Sequence, residues 1–431
     1  MWLVGRWLVV LGLATLVCGL LNCHPGAGRL MLERRCQASA WTIGRPLVAG
    51  RGSALRMDLG APATPAPSLE EPKQPASAFV RRVRYRGKNP VKFEEKYKEL
   101  SLDPATVAKV LAKGGTPAGM HVPILLDECL LHLGLLEDQR EGLPPQLVVD
   151  CTLGYGGHSS AILGKLISFG DKSKLLCLDQ DPIESNKAEI RLRQLLGSNA
   201  PQNSLRVVNV NFRSLKQYLA DNGLLGKVTA LLCDLGLSSM QIDDPSRGFS
   251  FKAEGPLDMR MDPVRNNMTA ANLLETSTPQ QLSRMLLEHS DEAFHEPLSK
   301  ALLVQPLPTT TRALRERVRE CLARDCGLGA KDEVNNVVRR VMQALRIEVN
   351  QEFGALDALL VDLPEILAPR GARAVFLTFH SGEDRRVKKA FKQGVKDGLY
   401  ASWSRDVVRA SAEERRNNSR SACCKLRWCT R

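Results

Sequence analysis

Short apolar runs alternate along residues 146–379 with stretches in which apolar residues recur at helical spacing. The runs that predict strands are 146–150, 175–178, 207–212, 228–234 and 374–379. Strands separated by helices indicate a parallel, doubly wound α/β sheet, and such a sheet binds its ligands beyond the carboxyl ends of its strands. Five residues fall at or just past those ends: Asp150, Asp179, Phe212, Asp234 and His380.

A glycine-rich turn follows the first predicted strand and precedes a helical pattern. It contains Gly154, Gly156, Gly157 and His158, and the acid Asp179 ends the second strand 22 residues beyond Gly157. Glycine allows a positive φ and the close approach of a ligand, and the start of a helix offers free N–H groups. An acid about 20 residues past such a turn can accept the ribose hydroxyls of an adenosine cofactor. The arrangement therefore predicts a nucleoside cofactor.

The spacing of the turn favours S-adenosylmethionine over a dinucleotide. The dinucleotide fingerprint G-x-G-x-x-G needs a third glycine, and Ser159 stands at that position. S-adenosylmethionine carries no phosphate, and it needs an acid for its ribose and a side chain beside its adenine. Phe212 can pack on a purine ring, and Asp234 can lie near the cationic part of the cofactor.

Composition and charge narrow the class of protein. The chain has 431 residues, enough for two or three domains, and its 43% hydrophobic content excludes a wholly disordered chain. The formal net charge of +13 favours a polyanionic partner. The excess lies in the flanks, since residues 1–57 and 346–431 each carry +6, whereas residues 121–262 carry −4. The acidic middle contains the predicted site for a cationic methyl donor.

The N-terminal residues predict a leader rather than a folded element. Residues 7–21 are almost wholly apolar, and residues 22–57 contain six Arg and a single acid, Glu33. This favours an organelle transit segment, and so the mitochondrial matrix, over a secretory signal. A membrane anchor or a misassigned start stays open, although the apolar run is short for about 30 Å of hydrocarbon. A linker rich in Pro and Ala spans residues 58–78, and the basic arm at 81–88 is either a solvated linker end or an RNA contact.

The 12 cysteines predict neither a metal site nor a disulfide framework. No Cys-x-x-Cys pair occurs, which argues against a zinc ribbon. Cys151, Cys177 and Cys233 lie in or beside the predicted strands, and we expect buried, reduced thiols there. For Cys423, Cys424 and Cys429 we expect an unpaired tail.

Seven motifs together resemble the RsmH (MraW) family of S-adenosylmethionine-dependent rRNA cytosine-N4 methyltransferases. They are His121–Glu128, Asp150–Ser159, Asp179–Pro182, Asn211–Ser214, Asp234–Ser239, Gln241–Phe251 and Gly255–Pro263. The resemblance covers roughly residues 121–430, and the block at 234–263 is its most distinctive part. With the Arg-rich leader, the chain is similar to the animal mitochondrial member of the family, whose partner is the small-subunit (12S) rRNA.

The resemblance implies a fold and a set of cofactor contacts. The fold is a class I methyltransferase sheet, Rossmann-like and doubly wound, with a helical domain inserted before its last strands. Residues 118–263 and 346–431 would form the core, and residues 264–345, with helix-like segments at 279–287 and 312–324, would form the insertion. The cofactor contacts would fall on Gly156, Gly157, His158, Asp179, Phe212, Asp234 and Gln241. Of these, Gln241 follows from the resemblance alone.

Methylation of a cytosine amine requires acceptors that hold its hydrogens, because its lone pair is delocalised into the ring. Asp234 is our candidate catalytic residue, serving cofactor and amine together; the alternative is that it only positions the cofactor. His380 is either on the substrate side or a buried, hydrogen-bonded histidine. Asp258 and Arg260 would brace the target nucleotide or the domain junction. The basic segment 385–392 either holds the RNA backbone of an unstacked target or is a solvated helix face.

The match to the family weakens toward the C-terminus. Asn336 and Val337 replace a usual His-Pro pair, Gly382 replaces a usual Leu, the segment after 393 is shorter, and Pro297 predicts a broken helix. The resemblance therefore does not extend to RNA binding or to full activity. One alternative is a non-catalytic ribosome-assembly factor that binds S-adenosylmethionine and rRNA. A more remote one is an NAD-dependent oxidoreductase, which the missing third glycine disfavours.

Overall fold

The computed structural model describes residues 123–136, 145–169, 172–196 and 201–431. The predicted leader, the linker and the basic arm at 81–88 lie outside these residues, as does His121 at the start of the first motif. Their assignments stay predictions.

Seven strands form one sheet in the order β3–β2–β1–β4–β5–β7–β6. They are β1 (Leu147–Asp150), β2 (Lys174–Leu178), β3 (Leu205–Val208), β4 (Ala230–Asp234), β5 (Arg373–Thr378), β6 (Ser402–Trp403) and β7 (Lys425–Thr430). Strands β1 to β5 are parallel to one another, and β7 runs antiparallel between β5 and β6. The strand order reverses between β1 and β4, and a crevice opens at such a point in a doubly wound sheet.

Helices cover both faces of the sheet. The helices of the core are α1 (Leu126–Leu133), α2 (Gly157–Ser168), α3 (Pro182–Leu196), α4 (Leu215–Asp221), α5 (Ser239–Asp243), α11 (Glu352–Ile366), α12 (Ser381–Lys396) and α13 (Ala412–Asn417). Leu163 and Leu192 pack on one face of the sheet, and Leu219, Leu363 and Phe391 pack on the other. Because both faces are covered, β1, β2, β4 and β5 are apolar along nearly their whole length.

Five helices between β4 and β5 pack around a hydrophobic cluster of their own. They are α6 (Ala270–Thr276), α7 (Pro279–Ser290), α8 (His295–Leu302), α9 (Thr311–Asp325) and α10 (Lys331–Asn350). Leu274, Leu286, Leu322, Val338 and Leu345 are fully buried within that cluster. Thr269 and Thr278 start α6 and α7 with capping boxes, which satisfy the first N–H groups of each helix. The predicted fold class, a doubly wound α/β sheet with an inserted helical domain, is confirmed.

Two local predictions were wrong. Pro297 does not break a helix, because it is the third residue of α8, where an N–H has no intrahelical acceptor to lose. The strand predicted at 207–212 ends at Val208, and the side chain of Asn211 accepts a hydrogen bond from Arg213 to start the 3₁₀ turn Phe212–Ser214. Apolar residues past Val208 reflect burial beside the sheet rather than strand structure.

The cysteines in the described part of the chain are all free thiols. Cys151, Cys177 and Cys233 are buried in or beside the central strands, as predicted. Cys424 and Cys429 are buried as well, and Cys429 lies within β7, so these two belong to the sheet rather than to a tail. None of the described helices is long and apolar enough to cross a membrane.

Candidate active site

A cavity of about 610 Å³ opens at the carboxyl ends of β1, β2, β4 and β5. One wall is the glycine-rich turn and the loops that follow these strands, and the opposite wall is one side of α10 with the start of α11. The cavity therefore lies between the sheet and the inserted helices. Its volume is within the usual range for small-molecule sites.

The glycine-rich turn between β1 and α2 forms one corner of the cavity. Gly154 and Gly156 have φ of 50° and 86°, a conformation that side chains other than glycine rarely adopt. Gly157 and His158 begin α2 and line the cavity, whereas Gly156 lies behind them against Ala188. The turn thus brings backbone N–H groups and one imidazole to the cavity wall.

Asp150 and Ser159 fix the turn from beneath. The buried Asp150 carboxylate accepts hydrogen bonds from the Thr152 N–H at 3.0 Å and from the Ser159 hydroxyl at 2.5 Å. The hydroxyl of Ser159, at the position of the missing third glycine, therefore points into the protein interior, where it bonds Asp150. This geometry argues against a dinucleotide pyrophosphate at the turn.

Asp179 follows β2 directly, with one oxygen bonded to the glycine-rich turn and the other to its own loop. Its Oδ2 accepts from the Gly154 N–H at 2.6 Å, and its Oδ1 accepts from the Asp181 N–H at 2.8 Å. Burial raises the pKa of Asp179 to about 7, although the two N–H groups oppose the rise. Each oxygen has a second lone pair, so the carboxylate can accept two further hydrogen bonds from a vicinal diol.

Asp234 stands at the end of β4, beside the centre of the cavity. Its Oδ2 lies 3.5 Å from Nδ1 of His158, and its Oδ1 is buried without a hydrogen-bond partner among the described residues. Burial raises the pKa of Asp234 to about 6; His158 opposes the rise, and Asp150 and Glu383 add to it. The side chain is nevertheless 29% exposed, so Oδ2 is the oxygen that a cation or a hydrogen-bond donor in the cavity can reach.

Gln241 enters the site from α5. Ser238 and Gln241 form a capping box at the start of this helix, and the Gln241 amide donates to Oδ2 of Asp181 at 2.8 Å. Asp181 is fully buried and also pairs with Arg247 at 2.8 Å. Gln241 is thus tied to the loop of Asp179. The Ser-x-x-Gln pattern in the sequence was the one signal that could have located this helix start.

The wall opposite the glycine-rich turn carries a second group of polar side chains. Nε2 of His380 lies 3.1 Å from Oε1 of Glu383, and the Phe379 N–H donates to Oε2 of Glu383 at 2.8 Å. Burial opposes ionisation of Glu383, but His380 and this N–H lower its pKa. Arg346, also on this wall, forms a bidentate pair with Glu352 at 2.8 and 2.9 Å. His380 therefore lines the cavity, as predicted, and it has a carboxylate beside it.

Asp258, Arg260 and the predicted RNA segment lie outside the cavity lining. Asp258 and Arg260 pair with each other at 2.7–2.8 Å, and Arg260 also donates to the carbonyl of Asn266 just before α6. Their contacts therefore brace the entry to the inserted helices. In the basic segment, Arg385 pairs with Asp291 and Arg386 with Asp357, while Lys388, Lys389 and Lys392 are exposed on α12; the predicted RNA contact of this segment stays a prediction.

Gly382, where a family member usually has Leu, is explained by its neighbour Phe353. A Cβ at position 382 would lie 2.5 Å from Cζ of Phe353 and 3.2 Å from Nδ1 of His380. The Phe353 ring also stacks under the Arg386 guanidinium at 3.7 Å. The aromatic ring therefore fills the space that a side chain at position 382 would take.

We expect Gly382→Leu to lower the free energy of unfolding by about 1–3 kcal/mol, since it overpacks a buried contact. Adding Phe353→Ala to the same chain should restore part of the loss. Gly354→Leu is the matched control, because no atom lies within 4 Å of the Cβ position there. Urea unfolding of the three variants and the wild type measures the effect, and equal stabilities of Gly382→Leu and Gly354→Leu would contradict it.

The predicted cofactor residues fit S-adenosylmethionine. Phe212 lines the cavity past β3, Asp179 offers acceptors for a ribose diol, and Asp234 presents a carboxylate to the positive charge of the cofactor. No group of three or more His, Cys, Asp or Glu side chains in the described part of the chain could hold a metal ion. Gly157, His158, Asp179, Phe212, Asp234 and Gln241 all line the one cavity.

The sequence matches the MraW methylase family over residues 118–431. Two bacterial relatives, each called ribosomal RNA small subunit methyltransferase H 1, are 42% identical to this chain. The relative from Agathobacter rectalis aligns over 358 residues, 81% of this chain and 97% of its own length. The relative from Lachnoclostridium phytofermentans aligns over 355 residues, 81% of this chain and 92% of its own length. A solved SAM-dependent methyltransferase from Aquifex aeolicus covers 76% of this chain and 98% of its own, but 11% identity and a TM-score of 0.31 say nothing about the site.

Proposed function

The chain belongs to the MraW methylase family and is an S-adenosylmethionine-dependent methyltransferase, and on that premise we propose that it methylates the exocyclic N4 of a cytidine in small-subunit ribosomal RNA. The carboxylate of Asp234, which lines the cavity and is 29% exposed, carries the proposal. An amine that must be held by its hydrogens needs such an acceptor beside the methyl donor. The names of the relatives support small-subunit rRNA as the substrate class.

The residues of the cavity divide into those that hold the cofactor and those that face the amine. Bound S-adenosylmethionine supplies the methyl group from a positively charged sulfur. Asp179 accepts the ribose hydroxyls, Phe212 packs against the adenine, and Gln241 keeps α5 fixed against the loop of Asp179. Because these groups sit on strand ends and a capped helix, the reactants are held in alignment, which contributes roughly 7–11 kcal/mol to such reactions.

Asp234 acts on the amine. Its Oδ2, the accessible oxygen of the carboxylate, accepts a hydrogen bond from N4, which turns the lone pair out of conjugation and toward the methyl group. The amine loses one proton when its new N–C bond forms, and Asp234 can accept it, because its pKa of about 6 is closer to neutrality than that of an ordinary carboxyl. His158 beside Oδ2 stabilises the charged form of Asp234 between turnovers.

Cofactor affinity should depend on pH through Asp179 and Asp234. Their pKa values are about 7 and about 6 in the ligand-free protein, and both must be ionised to hold the diol and the positive charge. We expect affinity to rise at least about tenfold between about pH 5 and pH 8. Calorimetric titrations across this range measure it, and a pH-independent affinity would contradict it.

The same pKa values predict the opposite trend for folding. An unfolded aspartate ionises near 3.8, so the ligand-free folded protein retains protons that the unfolded chain has lost. The free energy of unfolding should therefore fall as pH rises from about 4 to about 7, and saturating cofactor should reverse the trend.

We propose further that the protein acts on the 12S rRNA in the mitochondrial matrix. The Arg-rich, acid-poor segment 22–57 supports this location. A fusion of residues 1–57 to a fluorescent protein tests it. Import into mitochondria with loss of the leader is expected, and secretion or retention in the cytosol would overturn it.

The activity is tested with labelled S-adenosylmethionine and small ribosomal subunits that lack the modification. After digestion to nucleosides, we expect label in N4-methylcytidine, and label in another nucleoside would overturn the proposal. Cofactor and RNA binding without any label would indicate the assembly-factor alternative. This alternative is tested because Asn336 and Val337, on α10, replace the His-Pro pair that is usual in the family.

A further inference from the structure

Four cations line the cavity, and they fall into two classes. Arg346 pairs with Glu352 at 2.8 Å, and Arg420 pairs with Asp243 at 3.2 Å. Lys252 and Arg339 are exposed, and neither has an ion pair within the described part of the chain. The positive charges of Lys252 and Arg339 are therefore available to a ligand.

Arg339 marks the open end of the cavity. One side of α10 lines the cavity with residues at helical spacing: Arg339, Met342, Gln343, Arg346 and Asn350. Among its polar residues, Arg339 is exposed, Gln343 and Arg346 are half-buried and Asn350 is buried, whereas the apolar Met342 is buried. The row thus runs from the mouth to the floor, and Arg339 stands at the mouth.

Lys252 reaches the same mouth from a different element. It follows Phe249 and Phe251 in the segment between α5 and α6, and all three line the cavity. Phe249 is buried, Phe251 is half-buried and Lys252 is exposed, so the segment also runs outward. Lys252 and Arg339 thus each bring a cation without an ion pair in the described part of the chain to the mouth, and the half-buried ring of Phe251 directly precedes Lys252.

The charge of the cavity selects the kind of ligand that these cations hold. Asp179, Asp234 and Glu383 make the interior acidic, so an anionic group is repelled from the floor and attracted to the mouth. A flipped nucleotide has the matching distribution, with a neutral base to insert and phosphates that remain outside. Aromatic rings beside cations are typical of single-stranded nucleic acid sites.

We propose that Lys252 and Arg339 bind the phosphates flanking the target nucleotide, while Phe251 packs against the neighbouring base. This pair, the mouth clamp, rests on the proposed RNA substrate. It assigns RNA binding to residues that the sequence motifs did not single out. On this proposal the residues at the mouth bind the RNA backbone, and Asp234 binds the amine.

The clamp is tested by the salt dependence of binding to a short single-stranded RNA containing the target cytidine, followed by fluorescence anisotropy. Each phosphate contact contributes about 0.7 to the slope of log affinity against log salt. Lys252→Ser with Arg339→Ser should lower the slope by about 1.4 and the affinity at about 0.1 M salt by about 25-fold. The matched control, Arg370→Ser with Lys331→Ser, removes the same charge from exposed positions outside the cavity lining that likewise have no ion pair in the described part of the chain, and it should leave the slope unchanged.

Further measurements separate the clamp from the chemistry and from folding. In the clamp variant we expect unchanged cofactor affinity and thermal unfolding, a raised KM for RNA and an unchanged kcat. An unaltered slope, or an equal loss in the control variant, would overturn the clamp even where the wild type forms N4-methylcytidine. A wild type that binds this RNA with the clamp-dependent slope but forms no N4-methylcytidine supports the clamp and overturns the proposed activity. A wild type that does not bind the RNA overturns both.

Discussion

Asp234→Asn should lower the rate of methyl transfer about 100- to 1,000-fold. The substitution keeps the size of the side chain, but it removes the negative charge and replaces one acceptor oxygen with an NH₂ donor. Because the accessible oxygen of Asp234 is the proposed acceptor, an NH₂ in its place would face the amine with the wrong polarity. Single-turnover rates at saturating cofactor and RNA measure the effect without the contribution of binding.

Cofactor affinity of the Asp234→Asn variant should fall by only about tenfold, since one unit charge at moderate burial accounts for about that much. Asp221→Asn, at an exposed position on α4, is the control and should turn over like the wild type. Full turnover by Asp234→Asn would reject the catalytic role and leave Asp234 as a residue that only positions the cofactor.

Asp179→Ala should weaken cofactor binding about 100-fold or more. Hydrogen bonds to a charged acceptor contribute about 1.5–3 kcal/mol each, and the ribose diol can make two of them. The substitution also removes the acceptor of the Gly154 and Asp181 N–H groups, so the glycine-rich turn loses its tie to β2. Calorimetric titration with the cofactor measures the loss.

Two controls separate the contact from general damage at position 179. Asp221→Ala should leave affinity unchanged, and thermal unfolding of Asp179→Ala without ligand should show one cooperative transition. If a folded Asp179→Ala protein bound the cofactor like the wild type, the ribose would have to be held elsewhere.

Predictions from the sequence succeeded where a local pattern determines the structure. The apolar runs ending in Asp150, Asp179 and Asp234 are strands because buried parallel strands are apolar on both faces. Their carboxyl ends meet at one edge of the sheet, so residues far apart in sequence could be placed in one cavity. The resemblance added Gln241, which no strand pattern indicated.

The opposite wall of the cavity could not be predicted in this way. Arg346, Glu352 and Phe353 lie on helices whose orientation depends on how the insertion packs against the sheet. Helical periodicity shows which residues share a side of α10, but it does not show what that side meets. Pro297 illustrates the same limit, because its effect depends on where the helix starts rather than on its residue type.

The position of the insertion has a consequence for the order of folding. β4 and β5 are neighbours, with Asp234 opposite Leu377, yet residues 235–372 lie between them. Closing a flexible loop of that length costs conformational entropy, and the cost falls when the intervening chain has already condensed. We therefore expect the five inserted helices to condense before β5 joins the sheet. On this route the strand that leads to His380 joins only after the insertion has condensed, β7 and β6 add to it afterwards, and the newly made protein acquires its methyl-transfer site late in assembly.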